Sequence, residues 1–144
     1  MIAAVRLDGA MAGAIVQGAM DSDVFVAWVR EALVPSLRSG DIVVMDNLQP
    51  HKHSEVRRLI EAAGCELWLL PPYSPDLNPI EMMWSKVKQL IRSAEPRTFD
   101  PLVRAVFAAM DAVTTDDTAG FFRHCGYRNP LVYFGKCSRP WRST

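Results

Sequence analysis

The segment from residue 40 to residue 47 constrains the fold more than any other part of the chain. Four consecutive apolar residues, Ile42 to Met45, stand between the turn-forming pairs Gly40-Asp41 and Asp46-Asn47. A short apolar run bounded in this way is typical of a strand that is buried on both faces. Residues 67–70 have the same character. Strands of this kind, alternating with helices, predict a parallel sheet and an α/β fold.

Helices and a hairpin complete the predicted sheet. Residues 2–7 and 14–17 are short apolar stretches, and the turn signal Asp8-Gly9 between them predicts a β-hairpin. Capping residues and helical spacing of apolar side chains predict helices from Asp21 to about Pro35 and at about 54–63, 79–92, 99–113 and 115–124. The expected architecture is a mixed-sheet α/β domain.

Composition excludes several classes of protein. Of the 144 residues, 49% are hydrophobic and 22% charged, which excludes a disordered or collagen-like chain. Apolar runs are too short for a membrane span, and no secretory leader opens the chain, so we expect a soluble cytoplasmic protein.

Cys65, Cys125 and Cys137 form no CxxC pair and predict neither disulfides nor a zinc site. His51-Lys52-His53 could form a metal pair, although ordinary loop residues explain it better.

The charge distribution separates a basic tail from the rest of the chain. The 16 basic and 16 acidic residues cancel, so overall charge gives no support for nucleic-acid binding. Residues 128–144 hold four basic residues and no acid, namely Arg128, Lys136, Arg139 and Arg142. We expect this segment to be a basic, poorly ordered tail, with a domain at residues 1–127.

Asp46 is a candidate functional residue because it directly follows a buried strand. Open α/β folds bind ligands at the carboxyl edge of the sheet, so an acid there can serve a site. Asp46-Asn47 is also a good opening for a turn. The position alone leaves both interpretations open.

Glu81 is the second candidate acid, at the start of the helix predicted from Pro79. With Asn78 as N-cap, Glu81 takes the third helical position and approximates a capping box. The position also suits a metal ligand, since the positive helix end favours an ionised carboxylate. Structural and functional interpretations are again both open.

Ser85, Lys88 and Arg92 follow Glu81 at spacings that keep them on the same side of the helix, opposite its apolar stripe. A carboxylate followed by two basic residues fits a metal site beside a phosphate backbone, which makes Lys88 and Arg92 candidate DNA-binding residues. The same pattern fits an ordinary solvated helix face, and geometry alone favours that interpretation.

Two strings in the chain are more distinctive than either acid alone. One is LPPYSPDLNPIE at residues 70–81, followed by WSKVK at residues 84–88, and the other is VVMDN at residues 43–47, with His51 just beyond it. They resemble the DDE transposases of the bacterial insertion-sequence branch of the mariner-like superfamily, over roughly residues 1–127. In that family the second aspartate lies at a DN…H strand end and the glutamate in PPYSPDLNPIE.

The resemblance implies an RNase H-like fold, with a mixed five-stranded sheet flanked by helices, and metal-dependent cleavage and strand transfer of DNA. Asp46 and Glu81 match the second and third acids of the family's triad, and would bind Mg²⁺ or Mn²⁺ because hard cations prefer oxygen ligands. Asn47 and His51 match positions near the site. The implied partners are transposon ends and target DNA.

The family's first aspartate has no counterpart here. It lies on the first strand of the family's sheet, and we expect that strand and the upstream helix-turn-helix region to be missing. Asp8 lies in a predicted turn, while Asp21 and Asp23 are predicted helix caps. With two of three acids, we expect weak metal binding and little or no activity of the chain alone.

A missing strand also has consequences for partners. Unpaired backbone groups and an exposed apolar face predict aggregation, homo-oligomerisation or pairing with an N-terminal transposase fragment. The alternative function is a non-catalytic nucleic-acid or protein interaction module derived from a transposase, which would use the basic tail and the face of Lys88 and Arg92.

Overall fold

A mixed five-stranded sheet forms the centre of the computed structural model, which describes residues 1–9, 11–128 and 132–137. The strands lie in the order β2-β1-β5-β3-β4. β1 is antiparallel to its neighbours β2 and β5, whereas β3 is parallel to β5 and β4. The strands are β1 Ile2–Arg6, β2 Met11–Ala14, β3 Ile42–Met45, β4 Glu66–Leu69 and β5 Val132–Cys137.

Helices cover both faces of this sheet. α1 continues through a π-helical turn into α2, so these three segments form one helical stretch. Among the described residues, no helix is both long and apolar enough to cross a membrane. The helices are α1 Ser22–Trp28, α2 Val34–Ser36, α3 Ser54–Ala62, α4 Pro79–Ala94, α5 Phe99–Asp111 and α6 Thr115–His124, with the π-helical turn at Val29–Leu33 and 3₁₀ turns at Gln49–Lys52 and Pro75–Leu77.

The alternation of side chains along the strands divides the core in two. Successive residues of a strand point to opposite faces, so Val43 and Met45 pack in one cluster and Val44 in the other. The first cluster contains residues of α1, the π-helical turn and α3, and the second contains residues of α4, α5 and α6. The double burial of β3 that the apolar run predicts is confirmed, and the result is a mixed α/β domain.

The hairpin is confirmed, but its second strand begins earlier than predicted. Gly9, with φ +88°, donates its N–H to Arg6 O at 3.0 Å and closes a tight turn. The chain therefore returns at once, and β2 covers residues 11–14 instead of 14–17. Alanine and glycine, which are rare in strands, make up most of β2 and conceal it from the sequence pattern.

β5 lies within the segment for which the sequence predicts a poorly ordered tail. The structure instead pairs residues 132–137 with β1 on one side and β3 on the other. β5 thus lies between β1 and β3 and joins the antiparallel and parallel parts of the sheet. The physical reason is hydrogen bonding, since β1 and β3 would otherwise each leave one row of backbone groups unpaired.

Candidate functional site

Asp46 lies where β3 ends, and the chain then folds back onto it. The 3₁₀ turn at Gln49–Lys52 brings His51 next to it, with His51 Nδ1 2.6 Å from Asp46 Oδ1 and 3.0 Å from the Asp46 carbonyl oxygen. Leu48 donates its N–H to the same carboxylate at 3.3 Å. Both groups facing Nδ1 are acceptors, so Nδ1 is the protonated nitrogen of the ring and donates a hydrogen bond to Asp46.

His51 is fully buried, which fixes its ring firmly. The ring lies against Phe25 of α1, with centroids 4.6 Å apart. Within the described residues its second nitrogen, Nε2, has no hydrogen-bond partner. The imidazole is therefore held by packing on one side and by Asp46 on the other, while the side chain of Asp46 stays 23% exposed.

Glu81 lies in the first turn of α4, which begins after the N-cap residue Asn78. Its backbone N–H donates to Asn78 O at 3.0 Å. The Asn78 side chain makes no cap hydrogen bond in this turn, so the capping box predicted from the sequence is not formed. The helix end still favours an ionised carboxylate at Glu81.

One cavity brings the two acids together. It has a volume of about 430 Å³ and lies between the end of β3, the loop after β4 and the start of α4. Asp46 and Glu81 both line it, as does Asn47. The remaining lining residues are Leu48, Lys52, Leu70, Pro71, Pro72, Tyr73, Ser74, Pro75 and Asn78.

The proline-rich loop that forms one wall of the cavity is anchored at both ends. Leu70 donates its N–H to Met45 O at 2.8 Å, so the loop leaves the sheet directly beside Asp46. At the other end, the Tyr127 hydroxyl donates to Leu77 O at 2.7 Å, and burial raises the pKa of that phenol. The wall is therefore a fixed part of the fold.

Lys88 and Arg92 share a helix face with Glu81 but not the cavity. At about 1.5 Å per residue they lie roughly 10 and 16 Å further along the axis of α4. Lys88 lines a separate cavity of about 280 Å³ with apolar residues such as Ile91 and Phe99. Arg92 is exposed and lines a third groove with Glu95 and Arg97. Their assignment to DNA remains a prediction.

The basic side chain that lines the cavity of Asp46 and Glu81, among the described residues, is Lys52. In the sequence, Lys52 stands out only as the middle residue of His51-Lys52-His53. The structure separates the two histidines, since His53 caps α3 by accepting the N–H of Glu55 at 3.2 Å, while His51 holds Asp46. A metal pair of these histidines is not formed.

Tyr73 is a further lining residue that no sequence pattern marks as functional. Its side chain is fully exposed, with a relative exposure of 102%, although it lies in the middle of an anchored loop. The signal available in the sequence was an aromatic residue between Pro72 and Pro75, within the distinctive string. That signal identifies the loop, but it does not indicate that the ring of Tyr73 is exposed to solvent.

The remaining acids near the sheet lie elsewhere. Asp8 follows β1 and is 3.3 Å from Arg38, at the sheet edge where β3 begins, so it cannot join Asp46 at the edge where β3 ends. Asp21 caps α1 by accepting the N–H of Val24 at 2.9 Å, as predicted. In the part of the chain that the structure describes, no group of three or more His, Cys, Asp or Glu side chains could hold a metal ion.

Comparison with known proteins identifies a family for most of the chain. The family model for the DDE superfamily endonuclease matches residues 1–103, a range that contains both Asp46 and Glu81. No curated protein and no solved structure gives a significant match.

Proposed function

The chain belongs to the DDE superfamily endonuclease family, and from this membership we propose that it is the acid-bearing part of a transposase that cleaves and joins DNA strands with a divalent metal ion. The proposal includes an RNase H-like arrangement of the sheet and an origin in an insertion sequence of the mariner-like superfamily. DNA, as transposon end and as target, is the proposed substrate.

The observation that carries this proposal is the shared cavity of Asp46 and Glu81. The two acids are far apart in the sequence and lie on different elements, one after β3 and one in α4. Their convergence requires the parallel sheet, the anchored loop and the helix together. Two carboxylates that line one cavity beside the carboxyl end of β3 support a site for a hard cation.

The type of donor fits Mg²⁺ or Mn²⁺, and the number of donors is low. Carboxylate oxygens are the ligands that hard divalent cations prefer, and Mg²⁺ is often held by one or two carboxylates together with substrate phosphates and water. β5 offers no further acid, since its sequence is VYFGKC and its register pairs Gly135 with Met45, the residue before Asp46. We therefore propose weak metal binding that DNA phosphate strengthens.

The side chains around the two acids have positioning roles in this proposal. His51 orients the Asp46 carboxylate through its Nδ1–H, and the start of α4 favours the charged form of Glu81. Lys52, which is exposed at the same cavity, is placed to contact a DNA phosphate. When bound, the metal would supply Lewis-acid stabilisation of the charge that develops on the phosphate oxygens.

The proposal predicts that the 144-residue chain alone has little or no nuclease activity, because two acids, rather than three, line the cavity among the described residues. An N-terminal transposase fragment that carries the first aspartate is the proposed partner, and self-association is the alternative assembly. Sedimentation of the purified chain, with and without such a fragment, distinguishes these states.

The test is a Mn²⁺ titration of the chain, followed by the electron paramagnetic resonance signal of free Mn²⁺, with and without duplex DNA. We expect Asp46→Asn and Glu81→Gln each to weaken Mn²⁺ binding by about tenfold or more. Asp100→Asn is the matched control, because Asp100 occupies the first turn of α5 just as Glu81 occupies that of α4, but it lies outside the cavity.

Unchanged Mn²⁺ affinity in both cavity variants would contradict the proposed metal site. Plasmid nicking provides a second measurement on the same proteins. Metal-dependent nicking by the chain alone, abolished by Glu81→Gln, would contradict the predicted inactivity while supporting the assignment of the acids.

A second candidate function is a non-catalytic DNA-binding module, which the small number of converging acids favours. It predicts salt-dependent DNA binding without any dependence on Mn²⁺, because phosphate contacts release counterions. Loss of that binding in the double variant Lys88→Ala/Arg92→Ala, with Lys52→Ala unaffected, would favour this module over the cavity.

A further inference from the structure

Tyr73 combines full exposure with an unusual backbone conformation. Its φ is +57°, and the one other non-glycine residue with positive φ among the described residues is Glu95. Glu95 ends α4 in the left-handed conformation, which is a common helix terminus. Tyr73 ends no helix, so its conformation is a property of the loop itself.

The loop holds this conformation without using the ring. Ser74 Oγ donates to Pro72 O at 3.3 Å, and Leu77 N donates to Ser74 O at the same distance. Pro72 and Pro75 restrict the backbone on either side. The aromatic side chain is fully exposed to water in the described structure, and Tyr73 is among the residues that line the cavity of Asp46 and Glu81.

Exposed rings beside phosphate-binding groups have a characteristic ligand. A nucleobase stacks on an aromatic side chain whatever its sequence, and such stacking is a main source of affinity for single strands. Bases inside a duplex are already stacked on each other, so only an unpaired or extruded base can reach the ring. Lys52, on the same cavity, supplies a positive charge for the adjoining phosphate.

We propose that Tyr73 is a stacking platform for an unpaired base of the DNA strand whose phosphate lies between Asp46 and Glu81. The inference rests on the proposed function and adds to it that the substrate is bound with at least one nucleotide outside the duplex stack. Tyr73 acts in binding and takes no part in the chemical step.

The experiment measures binding of two short single strands to the full chain in the presence of Mg²⁺ by fluorescence anisotropy. One strand is an oligodeoxyadenylate and the other has the same length and backbone but abasic sites throughout. We expect Tyr73→Ala to weaken binding of the base-bearing strand by roughly 5- to 150-fold, the range that stacking of one base gives. Binding of the abasic strand should be unchanged.

Conservative variants and a surface control make the result specific. Tyr73→Phe and Tyr73→Trp should retain the affinity, because both keep a ring. Phe107→Ala is the control, since Phe107 is an exposed aromatic residue on α5 outside this cavity, with a relative exposure of 50%. In wild-type protein, 2-aminopurine in the strand should lose fluorescence on binding, and this quenching should be absent in Tyr73→Ala.

Each negative result has a separate meaning. Equal losses on both strands, or wild-type affinity in Tyr73→Ala, would overturn the stacking role while leaving the metal site untouched. Failure of the wild-type chain to bind either strand would overturn the stacking role and the proposed function together. Mn²⁺ binding without DNA should be the same in Tyr73→Ala and wild type, which separates the two sites experimentally.

Discussion

The two ends of β3 carry two aspartates with opposite environments. Asp41, directly before the strand, is completely buried and accepts hydrogen bonds from the equally buried Arg6, at 2.9 Å from Nη1, and from Arg38 N at 2.7 Å. Asp46, directly after the strand, is bound by a buried histidine but stays 23% exposed at a cavity. β3 is thus preceded by a fully buried ion pair and followed by a solvent-accessible acid.

This difference in environment distinguishes Asp41, which is a structural acid, from Asp46, which is a candidate metal ligand. A buried carboxylate can remain charged only if donors surround it, and a carboxylate surrounded in this way offers nothing to a ligand. Asp46 is oriented from the protein side and keeps access to solvent, which is the arrangement a metal ligand needs. Exposure and type of partner, more than position in the sequence, distinguish the two.

The largest expected effect is on the free energy of unfolding, at the buried Asp41 before β3. Asp41→Asn leaves the guanidinium of Arg6 buried without a countercharge, so we expect the free energy of unfolding to fall by about 3–5 kcal/mol. Urea denaturation measures this change. Asp46→Asn, at the accessible end, should cost about 1 kcal/mol or less, because its amide oxygen can still accept from His51.

Similar losses of unfolding free energy in Asp41→Asn and Asp46→Asn would contradict the proposed difference between the two aspartates. The double variant Arg6→Met/Asp41→Leu provides a further check, since replacing both partners of a buried ion pair by apolar groups removes the uncompensated charge. It should be more stable than Asp41→Asn alone.

The next effect is on metal affinity at the accessible end. His51→Leu removes the donor that orients Asp46, and loss of such a partner typically weakens metal binding by about 10- to 100-fold. His51→Asn should retain most of the affinity, because its amide N–H can replace Nδ1–H, whereas His51→Gln places the donor too far out. The Mn²⁺ titration measures all three, and equal affinities for His51→Leu and His51→Asn would contradict the positioning role.

A third prediction extends the comparison to two helix starts. α6 begins with a complete capping box, in which Thr114 accepts from Asp117 N at 3.1 Å and Asp117 accepts from Thr114 N at 2.9 Å. We expect Thr114→Ala to lower the free energy of unfolding by about 1 kcal/mol. Glu81→Gln, at the start of α4 where no such box forms, should leave it nearly unchanged in thermal or urea unfolding. A loss in Glu81→Gln equal to that in Thr114→Ala would restore a structural role for Glu81.

Local patterns explain which parts of this architecture were predictable. β3, β4 and α4 follow from apolar runs, helical spacing and capping residues, all of which act within a few residues. β5 could not be predicted in the same way, because its place depends on two strands more than 80 residues away in the sequence. Its Val-Tyr-Phe run has strand character, but pairing across such distances leaves no local signal.

The candidate site was predictable to the same degree. The strand end and the helix start identified Asp46 and Glu81, while the helical face grouped Lys88 with Glu81 although Lys88 lies seven positions further along α4. Periodicity gives the direction of a side chain around the helix axis but not its distance along it. For the same reason Lys52 and Tyr73, which reach the cavity from loops, were not grouped with the acids.

The smallest expected effect concerns an acid on the surface. Arg58, followed by Arg30, lowers the pKa of Glu55 from 4.5 to about 2 by hydrogen bonding and charge. The folded state therefore holds its proton less tightly than the unfolded state, so the contribution of this group to stability is complete above pH 4.5 and is lost as the pH falls towards 2. Solvent screening keeps the effect small. In urea unfolding across this pH range, the difference between wild type and Glu55→Gln should shrink with falling pH. Arg58→Ala should remove most of this pH dependence, and the part that remains belongs to Arg30. A difference that stays constant between pH 5 and pH 2 would show that the ion pair does not couple to folding.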